Sequence, residues 1–282
     1  MSYQDRKLTE ALSGASRGGK TARALCPFCV DEGYSGRYKN LALTYQTGRW
    51  GCYRCKRWGY LKGSEYLIQG EEEGAPTTSG PPAGWQEIGA RPTLATVSAW
   101  AYARSRGISE DAIAETRMGV VLQKPEEGEQ DFRHRLVVPI LGQDGETWLG
   151  HVGRSLLKDP PLPYLYSRGL SRGRILYNAQ ALQEDTERPL LVVEGTLDAA
   201  FLWPDAVAVL GTWSDPQVEL LRATKRPIAV VLDGDAWRKG EALALILQLY
   251  GVRAGYVRLP AGKDPDEVPR EWLEEEVQRC LP

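Results

Sequence analysis

"PLLVVEGTLDAAFLW", residues 189–203, passes from a short apolar run into a segment with helical spacing, and an acid, Glu194, stands at the junction. A short apolar run followed at once by a helix reads as one strand–helix unit of a parallel sheet. The same grammar recurs twice. "AVAVLG" (206–211) precedes "PQVELLRA" (216–223), "PIAVVLDGD" (227–235) precedes "GEALALILQLY" (240–250), and the strand "RAGYVRL" (253–259) closes the set. Three such units predict an α/β fold, a parallel sheet covered by helices on its faces.

In open sheets of this kind the functional loops follow the C-terminal ends of the strands. Glu194 falls there on the first strand, and Asp233 and Asp235 fall there on the third. "GKDPDE" (262–267) adds Asp264 and Asp266 after the fourth. Five acids on one edge repel each other unless divalent cations neutralise them, and hard carboxylate oxygens select Mg²⁺ or Mn²⁺. Two or more such ions are expected, with Gly195 and Gly234 allowing close approach. Asp198, one turn into its helix, reads either as a supporting acid or as a helix-start residue.

Upstream, "TLATVSAWAYARSRGISEDAIAETRMGVV" (93–121) predicts two helices separated by Gly107, with Ser109 as an N-cap. "RLVVPIL" (135–141), the turn "GQDG" and "TWLGHVGR" (147–154) predict a β-hairpin. Residues 69–84 mix Gly, Pro, Ser, Thr and a Glu run, and read as a flexible linker. The expected organisation is a module at 1–68, the linker at 69–84, a basic mixed α/β subdomain at 85–182 and the parallel-sheet subdomain at 183–282.

Within the first module Cys26, Cys29, Cys52 and Cys55 form two C-x2-C knuckles separated by twenty-two residues. Four thiolates so paired suit one structural zinc ion. "RYKNLALTY" and "RWGCY" between and around them predict a hairpin carrying the second knuckle, hence a zinc ribbon. Disulfides are disfavoured in a chain without a secretory signal, and a redox pair would need no duplicate. Arg37, Lys39, Arg49, Arg54, Lys56 and Arg57 alternate with Tyr38, Tyr45, Trp50, Tyr53 and Trp58, a mixture of phosphate-neutralising cations and stacking rings that suits single-stranded nucleic acid. Half of those rings are expected to fill the module's small core instead. Cys280 stands apart and has no expected role.

"GASRGGKT" (14–21) fits the phosphate-loop pattern G-x-x-x-x-G-K-[ST]. The preceding residues hold no apolar strand, and Pro27 follows too soon for a helix, so the required context is missing. A basic segment approaching the ribbon, with Arg17, Lys20 and Arg23 against DNA backbone, is the reading taken.

The net charge of −2 conceals a gradient. Residues 1–62 carry twelve Lys/Arg against four Asp/Glu, whereas residues 183–282 carry eleven against eighteen. A basic front and an acidic rear suit a protein that holds a polyanion and also binds cations. No apolar run reaches membrane-spanning length and no signal-peptide core is present, so a cytoplasmic location, in a bacterial cell or a phage-infected host, is expected.

"VVEGTLDAA" with "VLDGD" resembles the Toprim domain. The wider order of cysteine ribbon, linker, "RHRLVVPILGQDGETWLGHVGR", "PYLYS", "RGRILY", "EGTLD", "VAVLGT", "DGD" and "GKDPDE" resembles DnaG-type DNA primases of bacteria and phages. The resemblance implies Glu194, Asp233 and Asp235 as principal metal-binding acids, with Asp198, Asp264 and Asp266 in support. It implies that Arg135, Arg154 and Arg172 belong to a basic face gripping template and nucleotide phosphates, with Arg174 and Lys263 as further contacts and Arg54, Lys56, Arg57 and Trp50 meeting DNA from the ribbon. Two departures stand out. Pro163 and Tyr166 replace an expected basic residue and asparagine, for which Lys158 or Arg168 could substitute, and the bulky Trp237 follows "DGD". The chain ends soon after the Toprim motifs, so a compact, phage-like or plasmid-like core is expected, working with a replicative helicase in trans.

The implied activity is template-directed synthesis of short RNA primers from ribonucleoside triphosphates on single-stranded DNA. A Toprim nuclease and a non-catalytic recombination-type DNA-binding factor are the alternatives. The ribbon and basic hairpin argue against the first, and the arginine-bearing segment between ribbon and sheet against the second.

Overall fold

The computed structural model describes residues 7–8, 11, 16–18, 21–34, 39–44, 49–60, 80–89, 91–158, 160 and 162–282. Arg37, Tyr38, Tyr45, Lys20 and the linker positions 69–79 lie outside the described residues. The chain divides into two compact units, Met1–Ala75 and Pro76–Pro282.

The first unit is a five-stranded antiparallel sheet of β1 (Ser16–Gly18), β2 (Thr21–Ala24), β3 (Leu41–Thr44), β4 (Arg49–Cys52) and β5 (Trp58–Tyr60), in that spatial order. Residues 16–18 pair antiparallel with 21–23, so the phosphate-loop pattern lies in a hairpin and not between a buried strand and a helix. The β3–β4 hairpin forms where the sequence places it, with Leu41 opposite Cys52. Leu41 and Leu43 alternate inward with period two, as a one-faced strand requires. A single helical turn, α1 (Pro27–Asp31), starts on Pro27, whose fixed φ suits the first helical position.

The second unit contains two sheets. An antiparallel sheet runs β10 (Tyr164–Tyr166), β9 (Trp148–Ser155), β8 (Arg135–Leu141), β7 (Gly119–Val121), β6 (Trp85–Glu87). A parallel sheet runs β12 (Ala206–Ala208), β11 (Leu190–Val193), β13 (Ile228–Val230), β14 (Ala254–Tyr256). Both faces of the parallel strands are buried, which explains their unbroken apolar sequence. Val192, Val207 and Val230 point into one core with α5 (Asp215–Leu221) and α6 (Trp237–Leu249). Val193, Ala208 and Ala229 point into the other, shared with Leu136, Val138 and Ile140 of the antiparallel sheet and with Ala103 and Ile113. The last two belong to α2 (Val97–Ser105) and α3 (Glu110–Glu115), and the Ser109 hydroxyl accepts the Ala112 N–H as the expected N-cap.

Two helices complete the unit: α4 (Thr196–Phe201), after the first strand, and α7 (Arg270–Cys280). The sequence reading assigned nothing to the second. Its residues are mostly charged, and only Leu273 and Val277, four apart, are deeply buried.

One polar side chain ties the two sheets' connecting segment down. The Gln217 amide, fully buried, donates to the carbonyls of Arg172, Ile175 and Val209. Gln217→Leu should destabilise the unit by about 3 kcal/mol, because carbonyls lose a buried donor and nothing replaces it. Urea unfolding followed by tryptophan fluorescence measures this. An unchanged midpoint would mean that the segment is held by packing alone.

Candidate functional site

Three chain segments bring the acids together. Strand β11 ends at Val193, and Glu194 and Gly195 form the turn into α4. A Cβ on Gly195 would lie 2.6 Å from the Asp198 carboxylate, so glycine lets that side chain fold back over the helix start. Strand β13 leads to Asp233, followed by a tight turn, Gly234–Ala236. There the Gly234 N–H donates to the Lys263 carbonyl at 2.9 Å, and a Cβ would strike the Pro260 carbonyl. The "DGD" turn is therefore pressed flat on the loop that carries Asp264 and Asp266.

The electrostatics follow from that crowding. Burial, then Asp233, Asp266 and Asp264, push Asp198 up to about 7, against the Arg106 guanidinium. Burial, then Glu194 and Asp264, push Asp233 up to about 6. Burial also raises Glu194, opposed by Lys239, and raises Asp266, opposed by Arg106. The charges of the three segments thus act on one another. Asp235 is exposed and lines, with Glu194, Asp233 and the start of α6, a cavity of about 480 Å³. Asp264 is partly committed to local structure, capping the short turn Pro265–Glu267.

The residues fit divalent cations. Asp233 and Asp266 each keep a buried carboxylate oxygen without a hydrogen-bond partner. The acids do not close into a tight chelate; among the described residues only the four cysteines do. An open carboxylate edge is what Mg²⁺ uses, since it retains water and takes further oxygens from a substrate phosphate.

Arg106, which the sequence reading missed, sits at the end of α2 and stands between Asp198 (3.9 Å) and Asp266 (2.5 Å). It ties the helical layer to the acidic edge. Nothing local marks it among the basic residues of its segment; the only signal was that buried acids need a cation.

Because the folded acids hold protons at a pH where an unfolded chain has released them, the metal-free protein should lose stability as pH rises. The contribution is complete below about pH 4, the ordinary carboxylate range, and is lost as the pH passes through the raised values of about 6 and about 7. Urea midpoints of the second unit in magnesium-free buffer should fall between pH 5 and pH 8, and added Mg²⁺ should restore part of the loss at pH 8. A flat profile would mean that the acids are not crowded in solution.

The basic residues separate into two groups. Arg135 is half-buried and donates to the carbonyls of Gly153, Leu162 and Pro163, so it binds β8 to the start of β10. Arg154 donates to the Tyr102 hydroxyl and lies over the Tyr164 ring at 4.8 Å. Arg172 lies over Tyr166 at 4.4 Å, giving that departure from the expected asparagine a use. Arg174 and Lys263 are exposed, as is Lys158, while the exposed Arg168 donates to the Gly128 carbonyl.

In the first unit the four cysteine sulfurs lie within 4.8 Å of one another, with Cys26–Cys55 at 3.9 Å and Cys29–Cys52 at 3.6 Å. Zinc–sulfur bonds of about 2.3 Å in a tetrahedron require sulfur separations near 3.8 Å. The set can hold one metal ion and fits zinc. Burial raises the Cys26 and Cys55 thiols. Burial acts on Cys52 in the same sense, but the N–H groups of Cys55 and Arg54 prevail and lower it to about 7.

Around this knot, Lys56 is exposed, Arg54 lies over Tyr34 at 4.4 Å, and Arg57 pairs with Glu32 at 2.8 Å. Trp50 corrects an expectation: it is 7% exposed and stacked on Phe28 in the core, so it offers no face to a base. Among the described rings of that set, Tyr53 and Trp58 are exposed, at 64% and 65%. Strand alternation separates the two sets, since Trp50 and Cys52 share the inner face of β4.

No protein-family pattern matches the chain. Its sequence is similar to DNA primases: 29% identical over 193 residues to that of Clostridium acetobutylicum and 33% identical over 162 residues to that of Aquifex aeolicus. These matches cover 64% and 53% of this chain but only 31% and 32% of the relatives, so the chain spans about a third of their length. Its structure is similar to a DnaG catalytic core, with a TM-score of 0.54 and 28% identity, over 67% of this chain and 75% of that one. It also shares the fold of the zinc-binding and RNA polymerase domains of the Aquifex aeolicus primase, with a TM-score of 0.54 and 20% identity, over 99% of this chain and 86% of that one. The chain resembles DnaG-type primases in sequence and in fold. Among the described residues no helix is long and apolar enough to cross a membrane.

Proposed function

We propose that the chain is a DNA primase that makes short RNA primers on a single-stranded DNA template by nucleotidyl transfer. The observation that carries the reading is the crowded acidic edge, Glu194, Asp198, Asp233, Asp264 and Asp266, in a chain that also holds a four-cysteine unit and resembles primases over its sequence. Glu194, Asp233 and Asp235 are the residues proposed to hold Mg²⁺ or Mn²⁺, and the four cysteines to hold one structural zinc. Bound divalent ions would supply charge neutralisation for attack of a 3′-hydroxyl on an α-phosphate and for departure of pyrophosphate.

The chain's own groups prepare that chemistry. Arg106 holds Asp198 and Asp266 in place at the back of the edge. The guanidiniums of Arg154 and Arg172, backed by tyrosine rings, are held ready for phosphates. Lys56, Tyr53 and Trp58 give the ribbon exposed charge and stacking surface for template. A linker over 69–84, the boundary proposed between ribbon and core, would keep the ribbon at high local concentration near the acids. A replicative helicase in trans is the proposed partner, and a compact core over 85–282 the proposed catalytic body.

The test is incubation of the full chain with Mg²⁺, labelled ribonucleoside triphosphates and a pool of single-stranded templates, beside an Asp233→Ala/Asp235→Ala double variant. Short template-dependent RNA, absent with the variant, is expected. Cleavage of the template without synthesis would move the nuclease reading ahead.

A further inference from the structure

The position where Trp237 departs from the resemblance carries more than a local irregularity. Trp237 is half-buried at the first position of α6 and lines the 480 Å³ cavity together with Glu194, Asp233, Asp235, Arg238 and Lys239. Two guanidiniums lie against its ring: that of Arg238, the next residue, at 5.0 Å, and that of Arg258, from the segment after β14, at 4.5 Å.

Elsewhere in the unit, arginines in contact with other side chains are commonly neutralised, as Arg106 is by Asp266 and as Arg188 and Arg226 are by Asp205. Arg238 and Arg258 form no ion pair among the described residues, although both are exposed and Arg238 lines the cavity that Glu194, Asp233 and Asp235 share. Holding two like charges on one indole is unfavourable unless an anion joins them, and the ring's negative face lowers that cost in advance. Lys239 adds a third cation, anchored to the Thr212 hydroxyl at 3.2 Å and felt by Glu194.

The cavity thus sets three carboxylates beside the cations of Arg238 and Lys239, with Arg258 against the ring that lines it, and among the described residues no ion pair joins the acids to these cations. A ligand that meets both must carry several anionic oxygens and bring divalent cations of its own. We propose that Trp237, Arg238 and Arg258 form a polyphosphate subsite that receives the β- and γ-phosphates of a magnesium-bound nucleoside triphosphate, Trp237 acting as a positioning residue for the two guanidiniums. Together with the acids, the subsite would set the affinity for the incoming nucleotide, and in this it rests on the primase reading.

The experiment uses the full chain and two readouts. In the first, magnesium tripolyphosphate, which has no base or sugar, is titrated calorimetrically. Each guanidinium should contribute about tenfold, so Arg238→Ala/Arg258→Ala should weaken binding by about a hundredfold. Trp237→Ala should weaken it by about tenfold and Trp237→Phe, which keeps an aromatic face, by no more than about threefold. In the second readout, primer synthesis, the double arginine variant should raise KM for the nucleotide with a much smaller change in kcat.

The outcomes separate the two claims. Primer synthesis with an unchanged KM in the double variant would overturn the subsite and leave the primase reading intact. Arginine-dependent tripolyphosphate binding without synthesis on any template would sustain the subsite and remove the primase reading. Tripolyphosphate binding equal in wild type and double variant overturns the subsite whatever the activity. Arg238 and Arg258 are exposed and off the core, so the double variant is expected to fold even where Trp237→Ala does not.

Discussion

Asp233→Asn is expected to reduce primer synthesis by about a thousandfold, the scale on which removing a fixed electrostatic contact at a reacting phosphate acts, while the protein remains as stable as wild type or becomes more so. Both halves follow from the same geometry. Asp233 follows β13 and stands beside Glu194 and Asp264, and its buried oxygen has no hydrogen-bond partner among the described residues. Asparagine keeps the shape, removes one charge from a crowded set and so relieves repulsion in the metal-free chain. The same change removes a ligand oxygen, so the rise in melting temperature that Mg²⁺ gives the wild type should shrink or vanish. Melting curves with and without Mg²⁺ therefore read the metal site independently of synthesis. A variant that keeps a tenth of wild-type synthesis would remove Asp233 from the catalytic set. One that melts far below wild type would make it a structural acid.

That Asp233 could be singled out before any coordinates reflects how much of this fold is written locally. The first three strands of the parallel sheet, in chain order, are apolar runs because both of their faces are buried, and each of these runs stops at the acid or glycine that begins a loop. "PLLVVE" and "PIAVVLD" therefore announce both the sheet and its acidic edge. The Ser109 cap and the two C-x2-C knuckles are equally local signals. What escaped depends on distant partners. Helix α7 is charged along most of its length, and Leu273 and Val277 gain meaning only against the core that receives them. Arg106 reads as one basic residue among several until α2 is laid beside Asp198 and Asp266. Trp50 and Trp58 look alike in sequence, and only the pleat of β4 and β5 decides that one is buried and the other exposed. Asp198 shows the same limit from the other side. Its place in the first turn of α4 fits a helix-start acid, but its neighbours are the acids of two other segments and an arginine.

Metal removal is expected to unfold the first unit and leave the second intact. The buried apolar cluster of Met1–Ala75 consists, among the described residues, of Leu8, Ala24, Cys26, Phe28, Cys29, Leu41, Leu43, Trp50 and Cys52, and three of those nine are metal-ligand candidates. A core so small cannot order five short strands alone, whereas a structural zinc ion contributes on the order of 10–16 kcal/mol in comparable small folds. Without the ion, four sulfurs less than 4.8 Å apart must bury as thiols, since Cys26 and Cys55 are already pushed toward the neutral form by burial. Cys52→Ser should therefore lose the bound zinc equivalent, and residues of the first unit should become open to proteolysis under conditions where the second unit resists. Cys280 provides the control. Its thiol donates to the Val277 carbonyl at the end of α7 and has no place in the cluster, so Cys280→Ser should keep one zinc per chain. The measurement is metal content beside limited proteolysis with mass mapping of the fragments. A zinc-free chain whose first unit stays protected would mean that the sheet, with Leu41, Leu43 and Trp50 packed on Phe28, is sufficient by itself. Loss of zinc with synthesis retained on single-stranded template would separate the ribbon from catalysis and confine the active site to the acidic edge.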